Sequence, residues 1–247
     1  MEQITSRKNH AVSFLRALGA EPKARRETRQ FVCDGEKMLD EALAAGAEIT
    51  LVLWGEEPAR ALPDSIEQYL CPAELMRYVS PLKNSPGPVF AVKMPKRVET
   101  RAKNAIVLEN VQDPGNVGTV IRTANALGGD TVVLVGACAD CYSPKSVRAT
   151  MGAIFRQSVL VSDLTGLKDY VNRNELPLFG AALSARAEDL RGVSLKNAAV
   201  AIGSEGKGIS PALLALCRGE IIIPMEPCAE SLNAAVAASI ILWEMRR

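Results

Sequence analysis

Ala201-Ile202-Gly203-Ser204-Glu205-Gly206-Lys207-Gly208-Ile209-Ser210 is the stretch on which the reading of this chain turns. The apolar run 198–202 has the length and composition of a buried strand, and it ends in a glycine-rich loop that holds a single acid. The loop is not a Walker phosphate cradle, which closes on Gly-Lys-Ser/Thr. Nor is it a dinucleotide loop, which sets Gly-x-Gly-x-x-Gly early in a βαβ unit. An acid between the glycines repels phosphate. Backbone amides beside one carboxylate suit a neutral or cationic ligand, such as a nucleoside bearing a sulfonium. The plainer alternative is a tight turn with a solvated Glu205, since Gly and Ser build turns readily.

Two further stretches lie downstream. Ile221-Ile222-Ile223-Pro224-Met225 reads as a short apolar strand closed by proline, and Ser231-Leu232-Asn233 opens an alanine-rich helix over 231–244. Ser231 is placed to cap that helix. Asn233, two residues in, is more than a cap requires, and the alanines let another element approach closely. Upstream, Asn110-Val111-Gln112-Asp113-Pro114-Gly115-Asn116-Val117-Gly118-Thr119-Val120-Ile121-Arg122 follows a strand and opens a helix. Pro114 and Gly115 make the turn, and Asn116 sits near the helix start. With a helix beginning near Gly115, Asn116 and Arg122 could both face the carboxyl edge of the sheet, where open α/β sheets bind ligands. Their plain alternatives are an N-cap and a surface arginine.

Around these stretches, apolar runs at 105–109, 131–135, 177–181, 198–202 and 220–223 alternate with helical segments at 115–127, 163–172, 211–216 and 231–244. Near-continuous apolar strands between helices imply an α/β fold whose mostly parallel sheet is covered on both faces. The first hundred residues read as a smaller α/β unit. A helix is expected over 6–18 with Ser6 as cap, strands at 30–33, 49–54 and 89–93, a helix over 35–45 capped by Asp34 and stopped by Gly46, loop at 58–64, and a helix at 72–79. Composition turns polar and basic at 94–103, which reads as a linker. The expected domains are therefore 1–93, the linker 94–103, and 104–247.

The 247 residues are 48% hydrophobic and 23% charged, a globular balance with net charge of only +1. Charge is uneven: from Arg7 to Arg29 seven bases stand against two acids. That patch (Arg7, Lys8, Arg25, Arg26 and Arg29 foremost) either faces a phosphate backbone or is a solvated helix face. No apolar run reaches membrane length, and the first residues lack an apolar signal core, so a cytoplasmic protein is expected. The six cysteines are scattered, and Cys138-Ala139-Asp140-Cys141 lacks the further ligands that zinc needs, so reduced thiols and no metal are expected.

Taken together, 201–210, 221–225, 231–238 and 110–124 resemble the three signature motifs of the SpoU (TrmH) family of AdoMet-dependent RNA ribose 2′-O-methyltransferases, in their usual order. The resemblance covers about residues 105–244, and the segment 143–153 is similar to the family's middle segment. Residues 6–9 and 31–37 resemble the small ribosomal-protein-like RNA-binding domain that many members carry. The loop Asn84-Ser85-Pro86-Gly87-Pro88 is more proline-rich than that domain usually shows, and Ser204 stands where the family often has Asn. The resemblance implies a SPOUT-class fold with a deep trefoil knot and S-adenosyl-L-methionine held by Leu183, Ile202, Gly203, Ser204, Glu205, Gly206, Ile223, Pro224, Met225, Ser231 and Leu232. It implies a homodimer and no metal. It makes Arg122 the main catalytic residue, with Asn116, Glu205, Ser231 and Asn233 around it, and casts Arg122 as the base. A guanidinium stays protonated in proteins, so positioning a phosphate or stabilising an alkoxide suits it better, and the base role stays open. The implied substrate is RNA: large-subunit ribosomal RNA first, transfer RNA second. The alternative is a non-catalytic RNA-binding or ribosome-assembly protein on the same fold.

Overall fold

The computed structural model describes residues 1–58, 60–82, 85, 87–96, 101–226 and 228–247. The chain divides into two compact units, Met1–Lys96 with Tyr142–Phe155, and Arg97–Cys141 with Arg156–Arg247. The sequence reading assigned 142–155 to the C-terminal domain; in the structure this segment belongs to the first unit. The middle of the expected linker, 97–100, and residues 84 and 86 of the proline-rich stretch 84–88 lie outside the described residues. The linker's described ends are tied down: the Met94 amide donates to the Arg29 carbonyl, and the Ala102 amide to Asn174 Oδ1.

In the first unit, β1 (Glu2–Gln3), α1 (His10–Ala20), α2 (Pro22–Thr28), β2 (Gln30–Asp34), α3 (Glu36–Ala44), β3 (Ile49–Trp54), β4 (Glu67–Leu70), α4 (Ala73–Val79) and β5 (Val89–Lys93) follow in order. Its sheet, among the described residues, runs β1-β4-β3-β5-β2 and is mixed: β3 is parallel to β4 and antiparallel to β5. Leu15 and Leu18 of α1 and Leu75 and Val79 of α4 pack on Val32, Leu53 and Val89. Side chains alternate along a strand. Phe31 therefore leaves the opposite face from Val32, and there it meets the rings of Tyr142 and Phe155, with centroids 5.0 and 6.0 Å away. That contact explains why 142–155 belongs to this unit.

Two caps differ from expectation. Asn9, not Ser6, caps α1 by accepting from the Ala11 amide. Gly35, at φ 99°, begins α3, while Asp34 accepts instead from the hydroxyls of Ser80 and Ser85. Burial raises the Asp34 carboxyl above its ordinary value against the opposing pull of those hydroxyls and Arg148. Helix α2 and strands β1 and β4 escaped the sequence reading; each is short, and β4 (Glu-Gln-Tyr-Leu) has no strict alternation.

The second unit holds β6 (Ala105–Glu109), α5 (Pro114–Leu127), β7 (Thr131–Val135), β8 (Ser158–Ser162), α7 (Leu164–Asn174), β9 (Leu178–Ala181), β10 (Glu188–Asp189), β11 (Ala199–Ile202), α8 (Pro211–Leu214), β12 (Gly219–Ile222) and α9 (Ala234–Arg246). Helix α6 (Pro144–Thr150), between β7 and β8 in the chain, belongs to the first unit. The sheet, among the described residues, is wholly parallel in the order β10-β12-β9-β11-β6-β7-β8. Every residue of β6, β7 and β11 is buried, which explains their continuous apolar sequences. Strand β6 lies between β7 and β11, so the chain builds outward on one side and then restarts on the other. This is the switch point at which α/β sheets bind ligands. Leu167 and Tyr170 of α7 and Leu213 of α8 cover Val107, Val133 and Ala201. Helices α5 and α9 pack on each other, and small residues such as Gly118, Ala124, Ala235 and Ala238 are buried there. No helix among the described residues is long and apolar enough to cross a membrane.

Candidate active site

The loop after β11 folds back on itself. Ser204 and Gly208 pair as a bridge, and the Gly208 amide donates to the Ser204 carbonyl at 2.8 Å. A side chain at Gly203 would overlap the carbonyl of Gly208 and the amide of Ile209, so only glycine closes this loop. Glu109, at the end of β6 and only 3% exposed, fixes the far side. Its carboxylate accepts from the Ser210 amide at 2.7 Å and the Ser210 hydroxyl at 2.6 Å, while Ser210 caps α8. Sequence reading missed Glu109; the signal was an acid closing an otherwise apolar strand.

The loop presents Glu205 to two asparagines. Asn116 Nδ2 donates to Glu205 Oε1 at 2.8 Å, and Asn233 Nδ2 donates to the same oxygen at 2.7 Å. Asn233 Nδ2 also lies 3.2 Å from Asn116 Oδ1, and the Ala234 amide 3.4 Å from Glu205 Oε1. Each asparagine is set by its helix. Asp113 caps α5 by accepting from the Asn116 amide at 2.9 Å, with Pro114 in the first turn. Asn233 itself caps α9, its Oδ1 accepting from Ala235 and Val236. The expected cap, Ser231, lies two residues too early. Asn233 does both jobs because a carboxamide has an acceptor for the helix and donors left over for Glu205.

Arg122 stands apart from this cluster. With α5 beginning at Pro114, six residues turn Arg122 about 120° around the helix from Asn116. It is exposed and has no polar partner among the described residues.

Beside the cluster, at the carboxyl ends of β9, β11 and β12, opens a cavity of about 610 Å³. Residues 181–184, 202–209, 220–223, Met225 and 230–232 contribute to its wall. Of the residues expected to hold AdoMet, Leu183, Ile202, Gly203, Ser204, Glu205, Gly206, Ile223, Met225, Ser231 and Leu232 line it, whereas Pro224 does not. The size suits a nucleoside ligand. Leu183, 61% exposed, offers an apolar surface to its interior. Glu205, Glu220 and Glu230 suit a cationic sulfonium or ammonium, and Arg186 and Lys207 suit a carboxylate. The residues therefore fit AdoMet, which supplies an electrophilic methyl group when bound. Glu220 was not foreseen, although it too is an acid inside an apolar strand. It accepts from Ser184 Oγ at 2.5 Å and from Arg186 at 2.8 Å, tethering residues 184–186 at the cavity rim. Burial, with Glu220 and Glu109 nearby, pushes the Cys217 thiol up to about 12, which removes it as a nucleophile.

The other expected residues are less uniform. Cys138 Sγ donates to the Leu108 carbonyl, and no group of His, Cys, Asp and Glu able to hold a metal occurs among the described residues. In the first unit Lys8, Arg26 and Arg29 are exposed, and Arg7 pairs with Glu74 at 3.0 Å. Arg7 and Arg16 also lie 4.5 and 4.1 Å from the Tyr78 ring centre. Arg25 is a correction. It is 3% exposed and donates to the Leu18 carbonyl at 2.6 Å, so it closes the C-terminal end of α1 rather than facing RNA.

A parallel α/β sheet with a nucleoside-sized cavity at the carboxyl ends of its strands, walled by a glycine loop and the entry to a C-terminal helix, defines an AdoMet-dependent methyltransferase of the SPOUT class. The chain belongs to the SpoU rRNA methylase family, whose profile matches residues 103–243. It is 32% identical, across all of both chains, to the 23S rRNA (guanosine(2553)-2′-O)-methyltransferase RlmP of Bacillus subtilis. Its structure is similar to the AdoMet-bound rRNA methyltransferase of Sinorhizobium meliloti, with TM-score 0.89 and 27% identity over 99% of this chain and 97% of the other. It is also similar to the SpoU methyltransferase AviRb of Streptomyces viridochromogenes in complex with AdoMet, with TM-score 0.83 and 27% identity over 96% and 98%.

Proposed function

We propose that this chain methylates a ribose 2′-hydroxyl of large-subunit ribosomal RNA. The observation that carries the reading is the Asn116–Glu205–Asn233 cluster, whose Glu205 lines the AdoMet cavity. It gathers residues from three elements distant in sequence at one point beside the methyl donor. Relatives of nearly the same length, named as 23S rRNA 2′-O-methyltransferases, support the choice of RNA. The cluster aligns the ribose, and alignment supplies much of the rate of an in-line transfer. Arg122 holds the target phosphate or stabilises the forming alkoxide.

Arg122 lies outside the cluster of its own chain, and α9 exposes Val236, Ile240 and Trp243 at helical spacing. Both features support a homodimer in which Arg122 of the partner subunit completes each site. The lining of a single cavity by residues 182–184, 202–209, 222–223 and 230–232 supports a knotted C-terminal segment. Exposed Lys8, Arg26 and Arg29 support the first unit as the part that captures RNA.

Arg122→Ala is expected to abolish methyl transfer to ribosomal RNA and leave AdoMet affinity unchanged. The assay is transfer of labelled methyl from AdoMet to ribosomal RNA and, separately, to transfer RNA, with nucleoside analysis and a parallel AdoMet titration. Equal loss of affinity would make Arg122 a ligand or a structural residue, and wild-type labelling of transfer RNA alone would change the substrate.

A further inference from the structure

A second cavity, of about 490 Å³, adjoins the same 204–207 loop. Ser204, Glu205, Gly206 and Lys207 line both cavities, so the loop is a shared wall. Asn116 lines the second cavity as well. A ligand in it therefore meets Asn116 and Glu205, and Glu205 also lines the methyl donor's cavity.

The rest of its lining holds two carboxamides, Asn110 and Gln112, beside Val111, Asp113 and Ala137. Asn110 is occupied: its backbone is left-handed at φ 56°, and its Oδ1 accepts from the Ala137 amide at 2.8 Å. Asp113 is taken up with the α5 cap. Gln112 is different. It is exposed into the cavity and has no hydrogen-bond partner among the described residues. A carboxamide offers an acceptor and two donors, the pattern that pairs bidentately with a base edge. Three carboxamides, with the acids Asp113 and Glu205 against the single base Lys207, suit an uncharged hydrogen-bonding group better than a bare phosphate.

We propose that this second cavity receives the target nucleoside, with its ribose against Asn116 and Glu205 and the edge of its base on the Gln112 carboxamide. Gln112 is thereby a specificity-determining residue. The proposal rests on the methyl-transfer reading above. It accounts for why Glu205 of the acid–asparagine cluster lines both cavities. It also requires the base to be splayed out of any helix, which is how proteins read RNA sequence.

The test uses the full chain, AdoMet and an unmodified large-subunit ribosomal RNA transcript. The methylated nucleotide is first located with the wild type, and a second transcript carries another base at that position. Wild type is expected to lose about tenfold in kcat/KM on the substituted transcript, in the range of one bidentate base contact. Gln112→Ala is expected to lose about tenfold on the native transcript, to discriminate little between the two, and to keep its AdoMet affinity. Equal losses on both transcripts, with discrimination intact, would overturn the base contact. A matching loss of AdoMet affinity would assign the cavity to the cofactor instead. Wild-type enzyme that labels no RNA would overturn the methyl-transfer reading itself and the nucleoside cavity with it, an outcome distinct from either failure of Gln112.

Discussion

Gly203 and Asn233 show how much can depend on one residue. At Gly203 the backbone of the returning loop occupies the space of a side chain. Gly203→Ala is expected to cost about 1–3 kcal/mol in forced packing. Because the displaced backbone is also the cavity wall, AdoMet affinity should fall by about tenfold or more, a further ~1.4 kcal/mol. Calorimetric titration and thermal melting check both, and unchanged AdoMet affinity would mean the loop relaxes without the wall. The glycine-rich loop and its acid were legible in the sequence because glycine is informative where backbone approaches backbone. The pairing of Glu205 with Asn116 and Asn233 was not, since 89 and 28 residues separate the partners. Spacing along the chain carries no information about such closures.

At the scale of elements, α1 and α2 separate a structural arginine from its neighbours. Helix α1 has no basic residue in its last turn. Arg25 of α2 supplies the missing cation to the Leu18 carbonyl. Arg25→Ala should therefore destabilise the protein by about 1.5–3 kcal/mol, the range for a hydrogen bond to a charged group, and leave the salt dependence of RNA binding alone. Arg26→Glu with Arg29→Glu should do the reverse: stability nearly unchanged, RNA affinity weaker, and the slope of log affinity against log salt flatter by about 0.7–0.9 per lost phosphate contact. Filter binding across a salt series and denaturant melts separate the two. An unchanged slope would remove the α2 face from the RNA path. The basic cluster could be read from the sequence, but not which of its members is buried. Burial depends on a carbonyl seven residues back that only the packing of α1 against α2 brings near. The long apolar strands of the sheet were equally plain in the sequence. Strand β8, Ser-Val-Leu-Val-Ser, was not, because an edge strand has no buried residue here to mark it.

At the scale of the whole molecule, the homodimer reading makes a direct prediction. Trp243 is 64% exposed, on the same stripe as Val236 and Ile240. Trp243→Glu places a charge on that stripe, and sedimentation should then show a species near the 26.5 kDa of one chain. Methyl transfer should fall with it, because the site is proposed to need Arg122 of the partner subunit. A wild type that sediments as one chain and still methylates RNA would sink the shared site.

The assignment of residues 142–155 to the first unit has an evolutionary consequence. The chain leaves the first unit near residue 96, returns near 142 and leaves again near 156, so it crosses between units three times rather than once. A recognition module joined at one seam can be exchanged by recombination at that seam. This one cannot, because Phe155 and Tyr142 reach Phe31 from within the sequence of the catalytic part. A chimera that acquires a new RNA specificity must therefore carry 142–155 together with 1–96. In a lineage, changes on the Phe31 face and in α6 should be inherited as a set.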